Sequence, residues 1–450
     1  MADHICPTTI SPVRRKGSIS CTDRIIKAPH PLENVAASKI PYYTPQQTIP
    51  AGTAILHPDA EDKVDTLAKI FQPLVLRGLH LQNRILVSPM CQYSAIDGHL
   101  TDWHLAHLGG IMQRGPGLTV IEATAVTPEG RITPQDSGLW QDSQIEPLKR
   151  IVDFAHGQNQ FIAIQLAHAG RKASTVAPWI DRKSAAPEEA GGWPDRVISA
   201  SDIPYDEHTC VPRAMTLADI VSFKNSFMDA VHRALKAGVD AIEIHAAHGY
   251  LLHATLSAAT NRLPEPYGGS LENRMRLLLE LTEEVRATLP SSMPLLVRIP
   301  GNDWLDHKPE LHGWTVDEAA TLGLELSKLN VDLLDVSSGG LVAEQKIISG
   351  PSYQAPFSHA VKKACSGSKT QVGTVGMITT GKQAEKILED GMADVIFVGR
   401  AFLKNTGLVW QWAEELGVEV RAANQIGWGF GQRPGGGVSK AIPVLKSRGE

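Results

Sequence analysis

The chain has little cysteine, no long apolar run and no excess of one charge. Its five cysteines are scattered through 450 residues without a Cys-x-x-Cys pair, which argues against a disulfide framework, a zinc site or an iron–sulfur cluster. No apolar stretch is long enough to span a bilayer, and the N-terminus lacks the apolar segment of a secretory signal. The net charge is −5 without a like-charged block, so neither nucleic acid nor a membrane is an expected partner. These absences favour a cytoplasmic protein that acts on a small molecule without a metal.

Short branched apolar runs alternate with longer helical stretches through most of the chain. Eight such runs can be counted, at 84–90, 118–124, 161–167, 241–247, 294–300, 333–339, 370–376 and 395–400. Eight strands alternating with helices predict an α/β protein built as a (β/α)8 TIM barrel. Two of the intervening stretches begin with a predicted capping box, Thr315 with Glu318 and Thr380 with Gln383.

The barrel is predicted to span residues 67–430. Residues 1–66 are rich in Pro, Ser and Thr without a sustained apolar period, so they are expected to form an irregular N-terminal extension outside the core. Residues 431–450 are expected to form a C-terminal tail. The insertion at 177–216 contains several prolines and a Gly-Gly pair, and it follows the third strand. It is therefore expected to cap the catalytic face and to shape the substrate entrance.

The fourth run ends in two histidines and a tyrosine, His245, His248 and Tyr250. A buried strand has no structural need for these groups. Imidazoles and a phenol can donate hydrogen bonds to an oxygen, and the phenol can also deliver a proton. We therefore predict a site that polarises a carbonyl and protonates its neighbour. The alternative is that they are core histidines and a packing tyrosine, which is less favoured because all three fall within six positions.

Glycines and cations at other strand ends indicate a phosphorylated cofactor. The last two strands lead into Gly376 and Gly399, and Arg400 follows directly. Glycines let backbone amides approach a phosphate, and an arginine adds a planar donor fork. With Gln165 on the third strand and Arg298 on the fifth, the set suits flavin mononucleotide (FMN), whose pyrimidine edge and N1 end these two side chains would meet. The alternative is that the glycines serve tight turns and the arginine pairs with a surface acid.

Two nucleotide motifs are nearly present but incomplete. Residues 376–383 almost spell a nucleotide-triphosphate P-loop, but Gln383 stands where a Ser or Thr hydroxyl should hold magnesium. A complete Gly-x-Gly-x-x-Gly fingerprint is also missing. A pyridine nucleotide is therefore expected to bind in the barrel mouth.

With these residues the chain resembles the Old Yellow Enzyme family of FMN-dependent ene-reductases, in the branch called thermophilic-like, from about residue 68 to 430. The matching segments are 88–91 with Tyr93, 122–125, 165–172, 245–250, 267–274 and 398–400. The resemblance implies that NADPH reduces FMN and that an enone or enal then receives hydride on its β-carbon. It also implies that His245 and His248 hold the carbonyl oxygen and that Tyr250 protonates the α-carbon.

The resemblance implies contacts that composition and spacing do not reveal. Tyr93 would join His245, His248 and Tyr250 around the substrate, and Lys172 would lie near the flavin or its phosphate side. The implied cofactor contacts are Ser88, Pro89, Met90, Cys91, Ala123, Gln165, Arg298, Gly376, Gly399 and Arg400.

Departures from the branch leave its assembly and its role open. Members form dimers or tetramers in which an arginine of a neighbouring subunit reaches into the site, and here Lys404 stands at that position. A lysine cannot copy a stacked, forked contact, which puts the shared active site in question, although a homodimer or homotetramer is expected. Pro300 replaces a small hydroxyl residue and removes a backbone donor. Two other functions stay open: a natural-product desaturase or isomerase with the same site, and a non-redox barrel that binds a phosphate ligand.

Overall fold

A closed barrel of parallel strands forms the centre of the protein. The structure is a computed structural model that describes residues 34–56, 67–181, 184–432 and 440–441. Its strands are β1 (Ile55–Leu56), β2 (Leu74–Leu76), β3 (Leu79–Leu81), β4 (Ile85–Val87), β5 (Leu118–Ala125), β6 (Ile162–Ala167), β7 (Ile198–Ser199), β8 (Arg213–Ala214), β9 (Ala241–His245), β10 (Leu295–Pro300), β11 (Leu333–Ser337), β12 (Gln371–Thr374), β13 (Val395–Val398) and β14 (Lys440–Ala441). The barrel order is β4-β5-β6-β9-β10-β11-β12-β13, closing back on β4. The predicted TIM barrel is confirmed.

Each predicted run matches one barrel strand; β5 continues one residue past its run, to Ala125, and several other strands end earlier than predicted. β4 ends at Val87 and β13 at Val398, so residues 88–91 and 399–400 lie in the loops beyond them. The reason is that backbone amides can face a ligand only after the chain has left the hydrogen-bonded sheet.

Helices follow the barrel strands and cover the outside of the barrel. They are α1 (Asp102–Met112), α2 (Ile145–Gly157), α3 (Leu217–Ala237), α4 (Leu251–Leu256), α5 (Leu271–Thr288), α6 (Val316–Lys328), α7 (Ala355–Ala364), α8 (Gly381–Glu389), α9 (Arg400–Lys404) and α10 (Leu408–Leu416). The capping box of α6 is complete, because Thr315 Oγ1 accepts from the Glu318 amide and the Glu318 carboxylate accepts from the Thr315 amide. The box predicted for α8 is only half formed: Thr380 Oγ1 accepts from the Gln383 amide, but Gln383 Oε1 bonds the amide of Thr379.

The two faces of each barrel strand have different partners. In β9, Ile242 and Ile244 belong to the core between the barrel and the helices, while Ala241 packs inside the barrel. The two-residue period of a strand therefore turns Glu243 and His245 inward as well. Leucines of the β2–β3 hairpin join the apolar cluster inside the barrel and close its lower end. This arrangement leaves the upper end for polar groups.

Part of the predicted N-terminal extension packs against the barrel. Ala54 is buried in an apolar cluster with barrel residues, and the Gly52 amide donates to the carbonyl of Arg421 at 2.8 Å. Strand β1 pairs antiparallel with β14. The expectation that this region lies outside the core is therefore wrong for these residues, which dock through backbone pairing that leaves no apolar period. Residues 1–33, 57–66, 433–439 and 442–450 lie outside the described part.

The insertion at 177–216 packs against loops at the upper end of the barrel. It contains the short pair β7–β8, and its buried Trp193, Val197 and Cys210 form one apolar cluster with Ala169 and Ala173, against which Tyr250 also packs. Within the described ranges, no helix combines the length and the apolarity needed to cross a membrane.

Candidate active site

The turn after β9 brings the predicted catalytic trio together. His245 is the last residue of β9, and its ring centroid lies 5.2 Å from that of His248 and 4.9 Å from that of Tyr250, both edge-on. The chain turns sharply because His248 and Gly249 have φ values of 60° and 76°. A Cβ atom on Gly249 would lie 2.1 Å from the carbonyl oxygen of Gly340, so only glycine fits there.

Burial keeps all three side chains of the trio uncharged at neutral pH. Burial lowers the pKa of His245 and of His248 well below the usual value, and neighbouring positive charges add to the effect. Burial also raises the pKa of Tyr250 well above its ordinary value. Since His245 Nδ1 accepts from the Ala247 amide at 3.4 Å, its Nε2 carries the hydrogen. The trio therefore offers neutral N–H and O–H donors.

Ser337 and Lys172 hold His248 in place. His248 Nε2 lies 2.8 Å from Ser337 Oγ, and Lys172 Nζ donates to the carbonyl oxygens of His248 at 2.8 Å and Gly340 at 2.6 Å. Burial, with the charge of Arg171 added, lowers the pKa of Lys172 to about 7. The resemblance implied a position near the flavin or its phosphate side; in the structure Lys172 contacts these two carbonyls and lies over the rings of Tyr205 and Tyr250.

A buried polar network crosses the upper end of the barrel. Gln165 Nε2 donates to Glu243 Oε1 at 2.6 Å, while Arg298 donates from Nε to Asp335 at 2.6 Å and from Nη2 to Ser88 Oγ at 2.6 Å. Burial raises the pKa of Glu243 to about 8, and the carboxylate of Asp335 adds to that shift. Glu243 and Asp335 were missed from the sequence. A single carboxylate inside an apolar strand, at a position that faces inward, was the available signal.

Two free groups of this network match the edge of a flavin. In the part of the chain that the structure describes, nothing donates to Gln165 Oε1 and nothing accepts from Arg298 Nη1. A free acceptor and a free cationic donor complement the N–H and C=O groups of a pyrimidine ring. The side chains present therefore fit the ring end of FMN.

The loops after β12 and β13 fit the phosphate end. Gly376 has φ 122°, and a Cβ atom there would lie 2.7 Å from Gln354 Nε2. Arg400 is exposed at the start of α9 and forms no ion pair with any residue in the described ranges. A Cβ atom on Gly399 would lie 3.3 Å from Met90 Sδ, so the loop after β4 adjoins this region. Backbone amides and a free guanidinium suit a phosphate.

The remaining predicted cofactor contacts lie at the same end of the barrel. Pro89 and Met90 are half-buried in the loop after β4, and Ala123 lines a small cavity together with Tyr250. Burial raises the pKa of the Cys91 thiol well above its ordinary value, and the carboxylates of Asp136 and Glu122 add to the shift. Cys91 is therefore an uncharged thiol at neutral pH.

A fully buried His–Asp pair supports the turn after β9 and was not predicted. The Gly249 amide donates to His253 Nδ1 at 2.9 Å, so His253 Nε2 carries the hydrogen and faces Asp303 Oδ1 at 3.0 Å. The other oxygen of Asp303 accepts from Ser257 Oγ at 2.7 Å and from the Trp314 amide at 2.6 Å. No motif signals this pair, because His253 lies in α4 and Asp303 in the loop after β10.

Comparison with known proteins agrees with this geometry. Residues 69–419 match the model of the NADH:flavin oxidoreductase / NADH oxidase family. An NADH:flavin oxidoreductase of Gibberella zeae is 49% identical over 91% of this chain and 98% of its own. The NADPH dehydrogenase of Geobacillus thermodenitrificans is 40% identical over 80% of this chain and 99% of its own. The structure of morphinone reductase shares the fold, with a TM-score of 0.64, 23% identity, and coverage of 79% of this chain and 91% of that one.

The barrel, the polar network and the donor trio define a flavin-dependent oxidoreductase that uses FMN and a nicotinamide nucleotide. The chain belongs to the NADH:flavin oxidoreductase / NADH oxidase family, and within it resembles the Old Yellow Enzymes. A non-redox barrel that binds a phosphate ligand is therefore ruled out. Lys404 is exposed at the end of α9 and pairs with no residue in the described ranges, so its contribution to a partner's site stays a prediction.

Proposed function

We propose that this protein is an ene-reductase that uses NADPH to reduce the C=C bond of α,β-unsaturated carbonyl compounds. The observation that carries the proposal is the packing of His245, His248 and Tyr250 into one buried cluster of neutral donors. Such a cluster can bind a carbonyl oxygen and still keep a proton available. The relatives named NADPH dehydrogenase support NADPH as the donor.

Each residue of the cluster has a separate task in this proposal. His245 and His248 donate to the carbonyl oxygen and so stabilise the negative charge that develops there. Tyr250 Oη gives its proton to the α-carbon, and its raised pKa keeps that proton in place until it is needed. Bound FMN, once reduced, supplies the hydride for the β-carbon. Gln165 and Arg298 would hold its pyrimidine edge, and Arg400 its phosphate.

The visible absorption spectrum of the purified protein tests the proposal. A flavin band should bleach on anaerobic addition of NADPH and return when 2-cyclohexenone is added. Bleaching without recovery would contradict reduction of a simple enone. A product made without net consumption of NADPH would indicate an isomerase or a desaturase.

Replacement of Tyr250 by phenylalanine isolates the proton-transfer step. The Tyr250→Phe variant should keep its flavin band and its bleaching by NADPH, while recovery with the enone slows by about 10²-fold or more, the usual contribution of a positioned acid. An unchanged recovery rate would show that the proton comes from another group.

A further inference from the structure

The insertion carries two exposed apolar side chains beside the active site. Trp179 and Ile180 are each 69% exposed, whereas Trp193 of the same insertion is 2% exposed. They lie in a compact turn, because the Ile180 amide donates to the carbonyl of buried Ala177 at 2.9 Å. Two adjacent large apolar side chains that a compact turn holds in solvent form an exposed apolar patch, and such patches can mark a ligand-binding surface.

Trp179 contacts the predicted substrate pocket through Tyr93. The two rings pack edge-on with their centroids 5.5 Å apart. Tyr93 has φ 50°, a conformation that large aromatic residues rarely adopt and that clusters at functional sites. Tyr93 also lies close enough to Tyr250 to contribute to the raised pKa of that phenol. The exposed indole therefore packs against a ring that lies near the proposed proton donor.

The insertion also holds this surface in a fixed position. Trp193 donates from Nε1 to the carbonyl of Glu129 at 2.9 Å, and the guanidinium of Arg131 lies 4.6 Å from the Trp193 ring centroid. The same buried cluster contacts Tyr250. The insertion is thus anchored beside Tyr250, and the base of its exposed turn is held by the Val176 amide, which donates to the carbonyl of Ser184 at 3.2 Å.

We propose that Trp179 is a specificity-determining residue that lengthens the substrate pocket beyond Tyr93 and selects enones carrying an aryl group. An indole that is mostly open to solvent beside an aromatic pocket can cover one face of a second flat, apolar ring. A small cyclic enone would end at Tyr93 and would not reach Trp179. This inference rests on the proposed ene-reductase function.

The test compares two enones on matched variants of the FMN-saturated enzyme. The variants are Trp179→Ala, the conservative Trp179→Phe, and Trp428→Ala as control. Trp428 is 71% exposed like Trp179, and it lies in the C-terminal segment that packs against Gly52 and Thr53. Trp179→Ala should lower kcat/KM for 4-phenyl-3-buten-2-one about tenfold and that for 2-cyclohexenone by less than about twofold. Trp179→Phe should keep most of the selectivity, and Trp428→Ala should change neither value.

A binding measurement without turnover separates the inference from the proposed function. Calorimetric titration with the saturated ketone 4-phenyl-2-butanone should show about tenfold weaker binding to Trp179→Ala than to wild type or Trp428→Ala. Equal effects on both enones, or unchanged ketone binding, would overturn the inference. A change of oligomeric state in Trp179→Ala, with selectivity intact, would instead make the turn a contact between copies of the chain. Failure of the wild type to reduce either enone would contradict the proposed function, and ketone binding would still decide the role of Trp179.

Discussion

Replacing Asp303 by alanine should destabilise the protein and impair its catalytic turn together. Asp303 is fully buried and accepts hydrogen bonds from the Ser257 hydroxyl and the Trp314 amide, and its other oxygen lies 3.0 Å from His253 Nε2. Alanine leaves these donors without their acceptor. It also removes the group that keeps the hydrogen of His253 on Nε2, so Nδ1 can no longer be relied on to accept from the Gly249 amide.

The size of the stability loss follows from these contacts. A buried donor left unsatisfied costs about 1–3 kcal/mol, so the two hydrogen-bonded donors, together with the His253 ring nitrogen that loses the carboxylate it faces, give a loss of about 5 kcal/mol. For a barrel of roughly 360 residues, an unfolding entropy of about 2.1 cal/mol/K per residue amounts to about 0.8 kcal/mol/K. A loss of that size therefore lowers Tm by roughly 6 °C. We expect kcat/KM for the enone to fall about tenfold as well. A small displacement of the turn would weaken the hydrogen bond from His248 to the carbonyl oxygen and lengthen the path of the proton from Tyr250 to the α-carbon.

Thermal unfolding followed by circular dichroism measures the stability loss, and steady-state kinetics measures the effect on the turn. Asp306→Ala is the matched control, since Asp306 is an exposed aspartate of the same loop. Asp303→Asn keeps one acceptor oxygen and should lie between alanine and wild type in Tm. Equal Tm values for Asp303→Ala and Asp306→Ala would refute the reasoning.

Three further predictions concern other buried charges and thiols. Burial lowers the pKa of His168 to about 4, so the unfolded chain binds the proton first as the pH falls. The free energy of unfolding should therefore fall by about 3 kcal/mol between pH 6.5 and about 4. His168→Asn, which can still accept from the Gly170 amide, should lose less stability in acid, and a pH profile identical to that of wild type would count against this. Arg298→Met should cost about 3–5 kcal/mol because it leaves the buried carboxylate of Asp335 unpaired, and adding Asp335→Asn should recover part of the Tm; no recovery would contradict the pairing. The raised pKa of Cys91 predicts alkylation by iodoacetamide at pH 8 that is slower than for free cysteine, measured by peptide mass spectrometry, and a rate equal to free cysteine would disprove an uncharged thiol.

Residues close together in the chain made the barrel and the clustering of His245, His248 and Tyr250 predictable. Each barrel strand is an apolar run, and runs of this kind alternate with helices in a pattern visible without any contact information. His245, His248 and Tyr250 lie within one turn, so their meeting needed no knowledge of the fold. The capping box of α6 is local for the same reason.

Predictions were less accurate where packing competes with local signals. The region before β2 was expected to lie outside the core, yet Ala54 is buried there through backbone pairing that leaves no periodic pattern. The capping box predicted for α8 lacks one of its two hydrogen bonds, because Gln383 Oε1 accepts from the amide of Thr379 and not from that of Thr380. The local sequence is compatible with a buried or an exposed Ala54, and with a Gln383 side chain that bonds either the Thr379 or the Thr380 amide. The surrounding structure selects one arrangement in each case.

The sequence by itself determined which chemical groups stand at the strand ends, because strand periodicity and strand order place them there. Only the tertiary structure decided how those groups are held. Lys172 bonds the carbonyl of Gly340 across 168 positions of the chain, and Arg298 bonds Ser88 across 210. Such partners meet only after the barrel has closed, and burial then makes each contact costly to lose. The charge states of His245, His248 and Tyr250 come from that burial, which no short stretch of sequence encodes.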